Sequence, residues 1–159
     1  MKTTRSTKLK DFQFRLLHMT LTTNREAFRF GLSQTEYCTF CKTEKEDIYH
    51  ILLQCPVSKN IWDDLKSFLY VKTQIYLHFS NRDIIFGSYF FPFFELYNHI
   101  IMLTKQYLYA SRCLGRLPDG MGLRNKIERD YKIEMMVGKA ENQLNKVKEK
   151  WNPFFFTRR

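Results

Sequence analysis

Cysteine is scarce in this chain. Only four of its 159 residues are cysteines, and three of those lie between residues 38 and 55. So few cysteines argue against a disulfide framework. Residues 1–8 are not followed by the apolar segment of a secretory signal peptide. Both absences favour a reducing compartment, and we expect a protein of the nucleus or cytoplasm that is not secreted.

The sequence also lacks a long uninterrupted apolar run. Its most apolar stretch, residues 84–104, contains Pro92, Glu95, Asn98 and His99. A proline and a charge near the middle argue against a membrane span. We therefore predict a buried turn followed by a buried helix, and no membrane partner. The sequence shows no internal repeat and no low-complexity tract.

Acidic residues are outnumbered by basic ones. The chain carries 26 Lys and Arg against 16 Asp and Glu, a formal net charge of +10. The excess lies at both ends, because residues 1–30 carry +5 and residues 105–159 carry +7, whereas residues 31–104 carry −2. A basic balance favours polyanionic partners, most often nucleic acid. We predict that the flanks contact phosphates and that the middle is a scaffold.

Four residues in that middle segment have the spacing of a metal site. Cys38, Cys41, His50 and Cys55 form the pattern C-x2-C-x8-H-x4-C. Three thiolates and one imidazole complete the tetrahedral shell of one Zn²⁺ and leave no position for water, as in structural sites. The alternatives are a Cys38–Cys41 disulfide, coincidence, or a redox C-x-x-C, which requires a βαβ setting.

Apolar residues at spacings of three and four predict a mostly α fold. The CCHC pattern predicts a small zinc knuckle that is embedded among these helices and followed by two long helices. The predicted helices cover residues 9–19, 24–30, 48–53, 56–70, 80–85, 93–114 and 123–151. We predict two parts: N-terminal helices with the zinc module at 1–75, and a basic helical segment at 76–159. Pro56 pushes Cys55 out of the helical region, which lets its sulfur turn towards the metal.

The inward-facing residues follow from the same spacing. They are Leu9, Phe12, Leu16 and Met19 in the first helix; Ile61, Trp62, Leu65 and Leu69 in residues 56–70; Leu96, Ile100, Leu103, Tyr107 and Ala110 in residues 93–114; and Ile127, Tyr131, Met135, Leu144, Val147 and Trp151 in the last helix. Asn24 is the expected N-cap of the second helix.

Basic residues of both flanks are the candidate phosphate contacts. We select Lys8, Lys10, Arg15, Arg112, Arg116, Arg124 and Lys126. Lys2, Arg5, Arg129 and Lys132 share the pattern, although many such residues merely solvate a helix face. Tyr37, Phe40 and Tyr49, near the metal ligands, either stack on bases or cover a small core.

Other chemistry-bearing residues are not expected to act. Asp63-Asp64 follows Ile61-Trp62 in the first turns of a helix, where acidic residues are favoured, rather than in the strand–turn–strand of a polymerase. His99 lacks a partner at ligand spacing, and Cys113 is expected to be a small buried hydrophobe. The sequence shows no nucleophile–base pair, phosphate loop or open metal site, so we do not expect an enzyme.

Several of these residues together resemble a known family. The residues that carry the resemblance are Phe14-Arg15-Leu16-Leu17-His18, then Cys38, Cys41, Glu46, His50 and Cys55, then Trp62. This pattern is similar to the zinc-binding region that follows the polymerase domain in non-LTR (LINE-type) retrotransposon reverse transcriptases. A looser similarity to the C-terminal segment of these proteins covers Asn98-His99-Ile100-Ile101, Lys105, Tyr107, Tyr109, Arg112, Ala140, Asn142, Leu144, Lys146 and Lys150-Trp151.

The resemblance implies a role without catalysis. In that family this region helps to bind template RNA or target DNA during target-primed reverse transcription. The chain is then expected to be a C-terminal fragment that lacks the polymerase and endonuclease domains. An alternative is a protein-interaction module that docks on the polymerase domain or on a host protein, through the aromatic runs 90–94 and 154–156.

Overall fold

The structure, a computed structural model, describes residues 4–155 and confirms the mostly helical prediction. Residues 4–155 contain no strand, only an isolated antiparallel bridge between Tyr37 and Lys45. The helices are α1 (Thr7–Leu17), α2 (Asn24–Arg29), a π-helical turn at His50–Gln54 (here the π-turn), α3 (Pro56–Thr73), α4 (Asn81–Phe86), α5 (Phe94–Cys113), α6 (Gly120–Ala140) and α7 (Leu144–Phe155).

The first two helices begin at polar caps. The Ser6 hydroxyl accepts a hydrogen bond from the Leu9 N–H at the start of α1, and the predicted apolar face is buried except for Met19, which lies beyond the helix and is exposed. The predicted N-cap of α2 was wrong by one residue. Thr23 forms a capping box with Glu26, because a Glu three residues after a Thr can return the hydrogen bond.

Helix α5 is the central element of the fold. It packs against α1, the π-turn, α6 and α7, and residues 96–105 are all buried. The predicted stripe is correct for its first half, but Ala110 is exposed and Leu108 is buried instead. A helix surrounded by neighbours has no single apolar face, so its periodicity does not identify the buried positions near its end.

The predicted last helix, 123–151, was wrong because the structure divides it. Helix α6 ends at Ala140, and α7 starts at Leu144 and folds back along it. Asn142 in the turn has φ 55°, a left-handed conformation that asparagine tolerates better than most residues. The two helices approach closely at Gly138, since a Cβ there would lie 2.7 Å from Val147 Cγ2.

The apolar core extends over both predicted parts of the chain. Leu9, Trp62, Ile100 and Trp151 belong to one cluster of buried residues, and α1 and α3 pack against α5 and α7 respectively. The predicted boundary between residues 75 and 76 stays a prediction. Residues from both sides of it contribute to one shared core.

The apolar stretch from residue 84 to the start of α5 is only in part the buried turn that its composition predicts, since Ser88 is buried and Phe91 packs against the core. Ile84 and Ile85 are buried. Four aromatic side chains that follow are exposed: Phe86 (60%), Tyr89 (72%), Phe90 (97%) and Phe93 (53%). No helix in residues 4–155 is long and apolar enough to cross a membrane.

Candidate metal centre

A short hairpin positions the first two metal ligands. The Cys38 N–H donates to the Glu44 carbonyl (2.8 Å), and the Lys42 N–H donates to the Cys38 carbonyl (3.0 Å). Within this turn the Phe40 N–H points at Cys38 Sγ, 3.4 Å away. The hairpin therefore aims both thiols to the same side, which is what a knuckle spacing of C-x2-C requires.

The π-turn positions the other two ligands. Residues 48–53 were predicted as an ordinary helical turn, but the Cys55 N–H donates to the His50 carbonyl (2.8 Å), five residues earlier. Cys55 has φ −57° and ψ 129°, outside the helical region, and Pro56 begins α3. The predicted effect of Pro56 on Cys55 is thus confirmed. The wide turn brings His50 and Cys55 to one side of the backbone.

The four side chains converge on one point. Their ligand atoms all lie within 4.8 Å of one another. Cys38 Sγ lies 3.8 Å from Cys55 Sγ, and Cys41 Sγ lies 3.3 Å from His50 Nε2. Zinc–sulfur bonds of about 2.3 Å in a tetrahedron place two sulfurs about 3.8 Å apart. The residues therefore fit one structural Zn²⁺.

The alternatives to zinc find no support in this geometry. Cys38, Cys41 and Cys55 are all free thiols, so a Cys38–Cys41 disulfide is not formed. The βαβ setting of a redox C-x-x-C is missing from residues 4–155, which contain no strand.

The protein environment shifts the pKa values of Cys38 and Cys41 in opposite directions. Burial, and to a smaller extent the neighbouring Cys55, raise the pKa of Cys38 to about 12, although the backbone N–H groups of Phe40 and Cys41 act to lower it. Burial also acts to raise the pKa of Cys41, but hydrogen bonds from Thr43 and His50 outweigh it and lower this pKa to about 6. Cys41 is thus ready to bind as a thiolate at neutral pH, whereas Cys38 is deprotonated only when the cation binds.

A buried carboxylate ties the hairpin to the rest of the fold. Glu46 accepts hydrogen bonds from the backbone N–H groups of Thr39 (2.7 Å) and Asn24 (2.8 Å) and from Arg112 Nε (2.7 Å). Burial acts to raise the pKa of Glu46, but these donors outweigh it and hold the pKa below its ordinary value. The guanidinium of Arg112 also donates to Asn24 Oδ1. Glu46 thus connects the zinc hairpin to α2 and α5.

The seven predicted phosphate contacts do not form one cluster. Lys8 and Lys126 line the same groove between α1 and α6. Arg112 is engaged with Glu46, and Arg124 lies over the Phe68 ring, 5.1 Å from its centroid. The remaining three side chains, all exposed, are Lys10, Arg15 and Arg116. Lys2 lies outside the described residues.

The three aromatic residues near the metal ligands differ in how deeply they are buried. Phe40 is buried in the core, whereas Tyr37 and Tyr49 are about half exposed at the surface. Phe40 therefore covers the small core around the hairpin. Tyr37 and Tyr49 remain available for stacking.

A second cluster, around His99, was not predicted as a site from the sequence. His99 Nε2 lies 2.7 Å from Asp130, and Glu134 accepts from Lys150 Nζ and Trp151 Nε1, each at 2.7 Å. These carboxylates and the imidazole are close enough to hold a metal. However, Lys150 Nζ lies 2.8 Å from His99 Nδ1, so a lysine supplies the positive charge. We describe this cluster as a buried ion-pair network, which joins α5, α6 and α7.

Cys113 differs from its prediction. It was expected to be a small buried hydrophobe, but it is exposed at the end of α5. The helix ends there and the neighbouring elements no longer cover it, which the apolar spacing does not reveal.

Comparisons with known proteins bear on the metal-binding part of the chain. No curated protein and no solved structure matches the chain. Residues 1–62 match the family model described as zinc-binding in reverse transcriptase. All four metal ligands lie within the matched residues. This part of the chain, with its fold around one structural Zn²⁺, is therefore similar to the zinc-binding domain of reverse transcriptases.

Proposed function

We propose that this chain is a non-catalytic, nucleic-acid-binding zinc module of a non-LTR retrotransposon reverse transcriptase. In this role it holds template RNA or target DNA during target-primed reverse transcription. The observation that carries the proposal is a closed Cys3His site inside a chain of net charge +10. The family match at residues 1–62 supports the reverse transcriptase context, and the looser C-terminal resemblance supports the LINE type.

The metal site supports a structural role. A Zn²⁺ with four protein ligands has no open position for a water or a substrate, so it contributes folding energy rather than chemistry. Two of its cysteines are completely buried, which removes them further from any substrate. The zinc would therefore hold the hairpin and the π-turn in place, and binding would come from the basic surface.

Salt dependence provides the test. The zinc-loaded full chain is titrated with RNA and DNA oligonucleotides of equal length at several salt concentrations between about 50 and 200 mM. We expect log K to fall linearly with log salt, with a slope of about −0.7 to −0.9 for each phosphate contact. No detectable binding of either nucleic acid at the lowest salt would contradict the proposal. The difference between the two titrations identifies the preferred nucleic acid.

The exposed aromatic residues favour a second candidate. Phe86, Tyr89, Phe90 and Phe93 lie close together in sequence and are all more than half exposed, and contiguous exposed apolar surface is typical of protein interfaces. Under this alternative the chain docks on the polymerase domain or on a host protein. The other aromatic run predicted to dock, residues 154–156, gives less support. Phe154 is buried, and residue 156 lies outside the described residues.

Co-expression with the polymerase domain separates the two candidates. Docking predicts that the isolated chain aggregates and that the upstream domain keeps it in solution. It also predicts that changing Phe90 to Ser removes this effect without changing the affinity for nucleic acid. A chain that stays monomeric alone and gains nothing from the domain would contradict docking.

A further inference from the structure

A groove lies where the two basic flanks meet. Its volume is about 900 Å³, and it runs between the first turn of α1 and one face of α6, with α5 below. Leu9, Ala110, Ile133 and Val137 contribute an apolar floor. The positive charges come from both ends of the chain, since Lys8 belongs to the N-terminal flank and Lys126 and Arg129 to the C-terminal one.

The acidic residues of this groove already have partners. Glu141 pairs with Arg5, Asp130 lies against His99, and Glu134 pairs with Lys150. In contrast, Lys8, Lys126 and Arg129 make no ion pair with any residue of the described range 4–155. Three cations that form no ion pair within residues 4–155 thus line one groove. Such an arrangement is self-repelling and attracts anions.

The electrostatics of Lys126 agree with this crowding. Burial lowers its pKa, and the positive charges of Arg129 and Lys8 lower it further, while Asp130 acts in the opposite direction. Both Lys8 and Arg129 are therefore near enough to Lys126 to repel its charge. A polyanion in the groove would relieve this repulsion.

The groove also continues beyond its first hollow. A second hollow of about 340 Å³ follows the α5–α6 junction towards Leu114 and Tyr107, and Lys126 and Arg129 line both hollows. A single small anion would occupy only a fraction of this length. An extended chain of phosphates uses both hollows and all three cations.

We propose that the groove between α1 and α6 binds the sugar–phosphate backbone of a nucleic acid, with Lys8, Lys126 and Arg129 contacting its phosphates. This inference rests on the proposed function and adds the location of the binding surface. It selects these three residues among the basic side chains of the flanks because they line one groove and form no ion pair within residues 4–155. The zinc hairpin itself is not required to touch the phosphates.

Two matched triple variants of the full chain test the groove. The groove variant carries Lys8→Gln, Lys126→Gln and Arg129→Gln. The control variant carries Lys59→Gln, Arg82→Gln and Lys148→Gln, three exposed residues that do not line the groove. Both variants lose three positive charges, so general electrostatics affects them equally. Zinc content and thermal unfolding establish that each variant is folded.

We expect the groove variant to lose at least about tenfold in affinity for RNA or DNA at roughly 100 mM salt, and its salt slope to decrease by roughly 2 to 3, because each phosphate contact contributes about 0.7 to 0.9. The control variant should change much less. Because Lys126 is half-buried, the double variant Lys8→Gln/Arg129→Gln keeps the test decisive if the triple variant does not fold, and its slope should decrease by about 1.5.

The outcomes distinguish the groove from the proposed function. If the wild-type chain binds and the groove and control variants bind equally, the groove proposal is wrong and the proposed function stands. If the wild-type chain binds no nucleic acid, both fail. A competition experiment adds inorganic polyphosphate to the chain–RNA complex at an equal concentration of phosphate groups. Displacement of RNA by polyphosphate at equal potency would overturn the assignment to nucleic acid, whereas weaker competition supports it.

Discussion

Two buried charged residues, Lys105 and Glu46, differ in whether the fold gives them a partner of opposite charge. Lys105 is only 1% exposed, and its ammonium donates to the neutral oxygens of Gln13 (2.6 Å) and Ile85 (3.1 Å). No carboxylate of residues 4–155 lies within salt-bridge distance of it. Glu46, by contrast, has the guanidinium of Arg112. We expect the charge of Lys105 to lower the stability of the fold at neutral pH, and the Glu46–Arg112 ion pair to raise it.

Replacing Lys105 by Met should change how stability depends on pH. Burial lowers the pKa of Lys105 to about 7, against about 10.4 in an unfolded chain. Between these values the unfolded state binds more protons, so the contribution of Lys105 to the free energy of unfolding increases with pH. Met should therefore have its full stability advantage over Lys105 below about pH 7, and the advantage should shrink as the pH rises towards 10. Denaturant titrations at several pH values measure it, and a pH-independent difference would contradict the shift.

Replacing Arg112 by Met should destabilise the fold. It removes the cation beside a completely buried carboxylate, a change that costs about 3–5 kcal/mol in buried pairs. The double variant Glu46→Gln/Arg112→Met should recover part of this loss, because no unpaired charge then remains. The salt slope of nucleic-acid binding should stay unchanged. A decrease of about 0.7 to 0.9 in that slope would instead assign Arg112 to a phosphate contact.

Sequence patterns identified the metal ligands but not these ion pairs. The four ligands lie within 18 consecutive residues, and their element preferences are encoded locally by the C-x2-C spacing and Pro56. Arg112 and Glu46 are 66 residues apart, and Asp130 and His99 are 31 apart. Such pairs depend on how helices pack, which no local spacing records. This is why Arg112 was selected as a surface contact and His99 was not selected at all.

At the scale of elements, the hairpin of α6 and α7 is the clearest departure from the predicted helices. Residues 140–143 contain neither glycine nor proline, so nothing in the sequence interrupts the apolar stripe there. Two signals were present nonetheless. They are the residue types Gly138, a weak helix former inside the stripe, and Asn142, which tolerates the left-handed conformation that it adopts. The helix boundaries before residue 114 were better predicted because caps and proline mark them.

Replacing Gly138 by Ala tests this hairpin. Alanine favours a helix by about 1 kcal/mol over glycine, but its Cβ would lie 2.7 Å from Val147 Cγ2. Valine is stiff at χ1 and cannot easily move away, so we expect a net loss of about 1–3 kcal/mol. In a Val147→Ala background the same change should become neutral or stabilising. Equal effects of Gly138→Ala in both backgrounds, measured by chemical denaturation, would disprove the close approach.

The whole molecule depends on the zinc site more than a surface knuckle would. Ile51 and Leu52 of the π-turn are completely buried, and the Trp62 indole donates to the Leu52 carbonyl at 2.7 Å. The π-turn also packs against both α3 and α5. Loss of the metal would therefore disturb the centre of the shared core and not only the hairpin.

Replacing Cys55 by Ser should abolish cooperative unfolding of the chain. Structural zinc contributes about 10–16 kcal/mol in peptides, against a typical domain stability of about 5–15 kcal/mol. Native mass spectrometry should show one zinc per wild-type chain and none in the variant, with a broad loss of helical circular dichroism. Cys113→Ser is the matched control, since Cys113 is exposed and outside the cluster. A Cys55→Ser variant that still unfolds cooperatively would limit the metal's effect to the hairpin.

The π-turn also sets how insertions and deletions are tolerated. Each residue rotates a helix by about 100°, so removing one residue from His50–Gln54 would swing the imidazole away from the three sulfurs while leaving Pro56 in place. Length changes at residues 42–45 alter the hairpin turn around Cys38 and Cys41, but they do not rotate one ligand about a helix axis relative to another. Among related chains we therefore expect the four-residue interval between the histidine and the last cysteine to stay constant.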